Sequence, residues 1–532
     1  MTLQEKIDRN ITDFRSFLRE LADKYGDTPA VREYHGKELV DRNYLELKRD
    51  ADAVSRFLLA QGAEERMHIA AVGATSYQYI AAYFGTVDTA NVIVPTEAQL
   101  STETQCELFH MADVTGLFFD KHFEDAIPEI HEKCPDIKLF ICLTDGVESH
   151  DLGDIHIHSI NEIEKEYAEG EEIIVPLEHD TFSTILFTSG TTSARPKAVM
   201  LCHGGIIDNI FSGELEQRDS TNKVKLIALP IHHALSFNTD ICMGFRNGDT
   251  VFVNDSMLHI AKNFKVAKPY TAILVPMIFE NFYHKIMKAH EVHPEVDLKA
   301  MARDVFGGEV EVFYCGGAHL RAEIADAFAE WGMPVFEGYG MTECSPRVAA
   351  NMPWRYRRDS IGRVVDNAHV RIKDTELQVK SPSVMLGYYK DPEATKAAFT
   401  EDGWLKSGDI GYIDEDGFIF LQGRIKNLII LSNGENVSPE EIETKLYDCT
   451  FIKECLVYEE NGQITAEVFP DAEYAEMHKV TDVEKEISAA IKAVNKSMPT
   501  TKSVRSVKFR YEPFERTATN KIKRTGRGKK AA

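Results

Sequence analysis

The sequence predicts a multi-layer α/β fold for its larger part, followed by a β-rich subdomain and a smaller α+β terminal domain. Three observations carry this. Short β-rich runs alternate with helix-length stretches through the first part of the chain, the pattern of a layered α/β domain. The texture changes after about residue 360, where short strands joined by a tight turn replace the alternation. The length, 532 residues, exceeds what one ordinary core supports, so more than one domain is expected.

In order, residues 44–61 carry apolar residues at helical spacing, and His68-Ile69-Ala70-Ala71-Val72 reads as a buried strand. Further strands are expected at 181–187, 225–229, 250–253, 270–275 and 310–314. In the subdomain, 376–379, 411–414 and 418–421 are expected strands, the last two joined by Asp416-Gly417. Beyond Gly423-Arg424 a segment of about a hundred residues begins. Within it, Ser438-Pro439-Glu440-Glu441 is a helix start: serine caps, proline occupies the first turn, and a glutamate stands three residues after the cap. The basic tail, with Lys521, Lys523, Arg524, Arg527, Lys529 and Lys530, reads as a solvated end.

Composition narrows the function classes. Hydrophobic residues at 43% and charged residues at 27% are those of packed domains. A net charge of -25 disfavours nucleic acid as a partner but leaves room for a local basic site that takes a small anion. The amino terminus lacks the layout of a signal peptide, and no run approaches the roughly eighteen apolar residues of a transmembrane span, so a cytoplasmic protein is expected. Nine scattered cysteines without Cys-x-x-Cys spacing favour reduced thiols over disulfides or zinc.

Between Thr188 and Lys197 the chain reads Thr-Ser-Gly-Thr-Thr-Ser-Ala-Arg-Pro-Lys, following the apolar Ile185-Leu186-Phe187. Small residues let backbone amides converge on an anion, the hydroxyls of Thr188, Ser189, Thr191 and Thr192 add donors, Gly190 allows close approach, and Lys197 supplies a mobile charge. The segment is either a polyphosphate cradle or a polar surface turn. It is not a Walker loop, because Arg195 stands where that pattern needs its second glycine.

After this loop come His232-His233, Cys315-Gly316-Gly317-Ala318, Gly338-Tyr339-Gly340-Met341-Thr342-Glu343, Ser407-Gly408-Asp409, Gly423-Arg424, Asn433-Gly434-Glu435-Asn436-Val437-Ser438-Pro439 and Asn520-Lys521-Ile522-Lys523-Arg524. Each is weakly specific, but their order is not. On these motifs the chain resembles the adenylate-forming (AMP-binding) superfamily of acyl-CoA synthetases, luciferases and adenylation domains, most like the fatty acyl-CoA synthetases. The resemblance implies a large N-terminal domain over 1–424, its β-rich subdomain at about 360–424, and a small mobile lid domain over 425–532.

It also implies an AMP-forming acid-thiol ligase using ATP, Mg2+ and CoA. Lys521 matches the lysine that reaches from the lid to the acyl carboxylate and phosphate. Glu343 matches the magnesium-associated glutamate, and Thr342 the hydroxyl that contacts the α-phosphate. Asp409 matches the carboxylate that accepts from the ribose hydroxyls, with Arg424 beside it. Tyr339 matches the aromatic on the adenine, flanked by Gly338, Gly340 and Met341, with Gly316, Gly317 and Ala318 approaching the base's other side. His233 matches the histidine at the mouth of the acid pocket. The lid would pivot near Lys426-Asn427 and bring Ser432, Gly434 and Asn436 to the thiol.

Three positions depart from the family pattern. The phosphate loop is one residue longer, so Arg195 and Lys197 share or exchange the phosphate contact. Asn427 replaces an acidic hinge residue, and Asn520 replaces the glycine before the catalytic lysine. The segments Ile231–Phe237 and Val275–Phe279 offer apolar walls without a carboxylate for a substrate ammonium, Asp240 lying farther on. A medium- or long-chain fatty acid is therefore expected, with aryl and amino acids as alternatives. An acyl-carrier protein would present the same phosphopantetheine thiol as CoA. A nucleotide-binding protein without catalysis is the reading from a different class.

Overall fold

The computed structural model describes residues 1–62, 66–188, 196–212, 223–430, 436–516 and 522–524. Among these residues, two nine-stranded sheets form the framework of the larger part. The first runs in the order Arg363–Val364, Arg347–Ala350, Val335–Gly340, Val312–Cys315, Thr271–Leu274, Val224–Ile227, Thr250–Val253, Pro29–His35 and Glu38–Asn43. Its interior pairs are parallel, from Pro29–His35 across to Val335–Gly340. The second sheet has a parallel centre around His68–Val72, and one edge folds into the antiparallel hairpin Phe182–Thr188 and Lys197–Cys202.

The parallel strands are buried on both faces, and their sequences are correspondingly near-continuous in apolar residues, as in Ile69-Ala70-Ala71-Val72. Helix Tyr44–Ala60 begins on an Asn43 capping box with Glu46 and packs against helix Tyr77–Asp88. Phe14, Tyr83, Phe84, Phe237 and His203 close the core between the sheets. Burial lowers His203 to about 4. Its folded pKa therefore lies below the ordinary histidine value, and the unfolded chain binds the extra proton between about pH 4 and 6.5. Stability from this group is complete above that window and falls by about 1.4 kcal/mol per pH unit as pH drops through it. The urea midpoint, followed by tryptophan fluorescence, should fall from pH 7 to pH 5, and less steeply in His203→Asn. An equal slope in the variant would contradict this.

The subdomain is a four-stranded antiparallel sheet ordered His369–Lys373, Glu376–Lys380, Leu405–Ile413, Ile419–Arg424. Its third strand is longer than the sequence suggests. Ser407-Gly408-Asp409, which by composition is a turn signal, lies inside it, because Gly408 takes φ +72° and Asp409 pairs directly across from Arg424.

The terminal segment has its own core around Val437, Ile442, Leu446, Val457, Ala466, Val468 and Ile487. It is built from the antiparallel strands Ile452–Glu460 and Gln463–Pro470, the parallel strand Ser506–Phe509, and helices Pro439–Leu446 and Val483–Lys496. Ser438 caps the first helix as expected, accepting from Glu441 N. It also sits where Gly423, at φ +146°, comes so close that a Cβ would lie 2.0 Å from Ser438 Oγ. A side chain at 423 would prise the two parts apart.

The tail is less solvated than its composition suggests. Arg524 ion-pairs with the buried Glu443 and stands 3.6 Å from Glu440, and Ile522 bridges to Arg516. A second seam joins the terminal domain to the large one: Tyr474 and Tyr283 both donate to Glu323 Oε1, at 3.3 and 3.0 Å, and His284 lies 3.8 Å from Asp471. Beside it opens a cavity of about 480 Å3 lined by Tyr283, Arg321, Glu330, Trp331, Tyr447 and Asp448.

Candidate active site

Four neighbouring parallel strands of the first sheet end at the same edge, and each hands the chain to a motif singled out by the sequence. Strand Val224–Ile227 leads to His232-His233, Thr271–Leu274 to Val275-Pro276, Val312–Cys315 to Gly316-Gly317-Ala318, and Val335–Gly340 ends in Gly338-Tyr339-Gly340. The carboxyl edge of such a sheet is where open α/β folds bind ligands. A Cβ on Gly316 would lie 2.9 Å from Leu235, so the glycine loop and the histidine segment are in contact. The 480 Å3 cavity lies apart from this edge, against helices Pro276–Val292 and Ala322–Glu330.

Tyr339 donates to Asp409 Oδ2 at 2.5 Å, and Arg424 Nε stands 2.9 Å from Asp409 Oδ1. Asp409 is only 4% exposed. An ionised carboxylate has about four acceptor positions. With one on each oxygen occupied, Asp409 keeps, among the described residues, one free on each, the arrangement a vicinal diol satisfies. Burial, and then the charge on Asp409, holds the Tyr339 phenol well above its ordinary pKa, so it stays a donor.

Past Tyr339 the backbone is forced into a tight loop. A Cβ at Gly340 would lie 2.2 Å from Pro346 O, and Met341 N donates to that same carbonyl at 2.9 Å. The loop lifts Thr342 and Glu343 onto a short 3-10 turn, Thr342–Cys344. Glu343 is buried, and its Oε1 accepts from Tyr388 OH at 2.9 Å. Tyr388 pairs with Val199 of the strand that follows the hydroxyl-rich segment, and the Lys197 ammonium lies 4.3 Å from its ring centroid. Lys197 itself pairs across the hairpin with Thr188. Arg424, Asp409, Tyr339, Glu343, Tyr388, Lys197 and Thr188 thus form one connected set spanning three sheets.

His232 and His233 have ring centroids 4.2 Å apart. Burial lowers both, His232 to about 3, so both are neutral near pH 7. His232 Nε2 is buried with no partner among the described residues. The segment Leu235–Ile241 that follows is a π-helix, a local widening common near functional sites. Asp240 within it is fully buried and ion-paired with Lys225 at 2.8 Å, so it is no free carboxylate. The second apolar wall is shorter than the sequence suggests: Ile278 and Phe279 belong to the core, Phe279 edge-on to Phe313 and Phe328, which leaves Val275, Pro276 and Met277 accessible.

At the domain junction, Asn427 donates through Nδ2 to Glu440. Lys426 is exposed, as is Asn436. Ser189, Gly190, Thr191, Thr192, Arg195, Ser432, Gly434, Asn520 and Lys521 lie outside the described residues.

Two participants escaped sequence reasoning. Tyr388 carries no spacing relation to position 343, and only its place beside glycine in Leu386-Gly387-Tyr388 hints at a tight edge. Glu337, directly before Gly338, accepts from Leu320 N at 2.8 Å and contacts His319 Nδ1 at 3.0 Å, tying the glycine loop to the strand that ends in Tyr339.

A profile of the AMP-binding enzyme family matches residues 18–389, and one of the AMP-binding enzyme C-terminal domain matches residues 426–530. The chain is 27% identical over 403 residues to a long-chain-fatty-acid–CoA ligase of Mycobacterium bovis, an alignment covering 64% of this chain and 66% of that protein. It is 30% identical over 326 residues to a 4-coumarate–CoA ligase of Pinus taeda, covering 54% and 56%. The chain thus spans two thirds or less of the length of these relatives. Its fold matches the A domain of a carboxylic acid reductase from Segniliparus rugosus, solved with AMP and a co-purified carboxylic acid, at TM-score 0.79 and 18% identity, covering 98% of this chain and 93% of that one.

Proposed function

The chain belongs to the AMP-binding enzyme family, and from that premise we propose that it activates a hydrophobic carboxylic acid as its acyl-adenylate and passes the acyl group to a thiol. A medium- or long-chain fatty acid is the substrate and CoA the acceptor in this reading. The connected set from Arg424 to Thr188 carries it, because it joins a diol acceptor, an aromatic face, a buried carboxylate and a cation across three adjoining sheets.

In the first half-reaction an oxygen of the substrate carboxylate bonds to the α-phosphorus of ATP, and the bond to the β-phosphate bridging oxygen breaks, releasing pyrophosphate. Two anions must meet, so positioned donors and cations supply much of the stabilisation. Asp409 and Arg424 hold the ribose, Tyr339 covers the adenine opposite Gly316, Gly317 and Ala318, and Thr342 contacts the α-phosphate. The hydroxyl-rich loop and Lys197 hold the outer phosphates, and Lys521 bridges carboxylate and phosphate. Glu343 fits magnesium: it is a buried carboxylate that, among the described residues, has one oxygen bonded and the other open, and among the same residues no group of three or more ligating side chains stands together. The remaining ligands would be phosphate oxygens and water. Bound there, the metal neutralises phosphate charge. In the second half-reaction the thiol sulfur bonds to the acyl carbon, the thiol proton is lost, and AMP leaves.

A boundary at Arg424 and a pivot at Lys426-Asn427 would let the lid serve both steps, with Ser432, Gly434 and Asn436 reaching the thiol in the second. A hydrophobic acid is favoured because Asp240 is committed to Lys225, so the segment after His233 offers no anion to a substrate ammonium. His233, neutral, suits the mouth of an acid pocket without adding fixed charge. A panel of fatty, aryl and amino acids with ATP, read by pyrophosphate exchange and then by AMP release with CoA or a holo acyl-carrier protein, tests this. Exchange is expected with fatty acids of medium or long chain and product with CoA. Exchange driven only by an amino acid would defeat the substrate reading, and product only with the carrier protein would defeat the CoA reading.

A further inference from the structure

We propose that Tyr388 is a positioning residue for Glu343: its phenol occupies one carboxylate oxygen, so that the other alone is presented to the metal and the phosphates. This rests on the reading of Glu343 as the metal carboxylate.

The ring has little freedom. Tyr388 sits in the two-residue strand Gly387–Tyr388, paired antiparallel with Lys197–Cys202 at Val199 and Met200. Its amide donates to Thr395 Oγ1 at 2.9 Å, and the next amide, Tyr389 N, donates to Ala198 O at 2.8 Å. The Glu343 backbone is fastened to the same stretch, since Met385 N donates to Glu343 O at 2.8 Å. Donor and carboxylate are therefore held by one short piece of chain. The residue is 6% exposed, and its hydroxyl donates to Glu343 Oε1 at 2.9 Å. Lys197 over the ring face couples the same residue to the base of the phosphate loop.

Oxygen occupancy has a chemical consequence. Mg2+ demands near-ideal octahedral geometry and takes a carboxylate through one oxygen, whereas Ca2+ accepts bidentate carboxylates in a looser shell. A Glu343 with Oε1 engaged favours the smaller ion. Removing the phenol frees both oxygens, weakens the fixed geometry, and relaxes discrimination against Ca2+.

The test is Mn2+ binding to the full-length protein with saturating ATP and no acid, followed by electron paramagnetic resonance, with Mg2+ and Ca2+ as competitors. Tyr388→Phe keeps the ring under Lys197 and removes only the hydroxyl. It should lower Mn2+ affinity by about tenfold and shift the Ca2+ to Mg2+ competition ratio towards Ca2+. Tyr388→Met, an unbranched side chain that adapts to irregular gaps, carries the same expectation if phenylalanine is not tolerated. A ratio unchanged from the parent, whatever the affinity does, overturns the positioning role. A parent that binds no Mn2+ beyond that held by free ATP overturns the metal reading of Glu343 as well, so the two failures are told apart.

Discussion

Asp409→Asn is expected to raise the KM for ATP by about a hundredfold and to erase the preference for ATP over 2′-deoxy-ATP. The argument is a count of lone pairs. Asp409 accepts from Tyr339 on one oxygen and from Arg424 on the other, leaving one acceptor position on each for the two ribose hydroxyls. An amide keeps one oxygen, so it cannot serve both neighbours and a diol, and its NH2 group turns a donor towards Tyr339 or Arg424. Either outcome leaves a buried polar group unpaired. A site that hydrogen-bonds a substrate hydroxyl rejects the analogue lacking it, and that rejection is what the variant should lose. Steady-state comparison of the two nucleotides decides the matter: if D409N still discriminates as the parent does, Asp409 is not the ribose acceptor.

Lys521→Ala should lower the rate of acyl-adenylate formation by about 10²–10³-fold while changing ATP affinity much less. Charge accumulates on the α-phosphate as the carboxylate approaches, so a cation between them gains most in the transition state. Among the described residues nearest this position, Arg516 pairs with Glu454, Ile522 bridges to Arg516 and Arg524 pairs with Glu443. A compact point charge on a flexible stem can approach and leave the reacting groups. Single-turnover adenylate formation and equilibrium ATP binding separate the two quantities, and equal losses in both would refute the assignment.

The order of layers was legible because its signals are local: apolar runs at 68–72 and 250–253, the Asp416-Gly417 turn, the Ser438 cap. The expected strand at 310–314 ends just before Gly316, whereas the strand Val335–Gly340 that carries Tyr339 had no counterpart among the expected runs. What sequence does not encode locally is register. That Asp409 falls opposite Arg424 depends on a shift between Ile410 and Gly411 in the antiparallel ladder, which no spacing announces. Likewise Tyr388 meets Glu343 only because a two-residue strand joins the edge of the other sheet. Ile278 and Phe279 read as a pocket wall because hydrophobicity does not say which side of a helix is already covered. Arg524 read as solvated because its partner, Glu443, is distant in sequence and buried by strands that follow it.

The seam at Glu323 bears on the proposed motion of the terminal domain. Among the described residues it is stitched by two hydroxyls on the Glu323 carboxylate and an imidazole beside the Asp471 carboxylate, next to a crevice. Water replaces such contacts nearly one for one, so parting them forfeits little free energy. The terminal domain is consequently fastened in the manner of a catch that solvent can release, which is what the proposed pivot at Lys426-Asn427 requires.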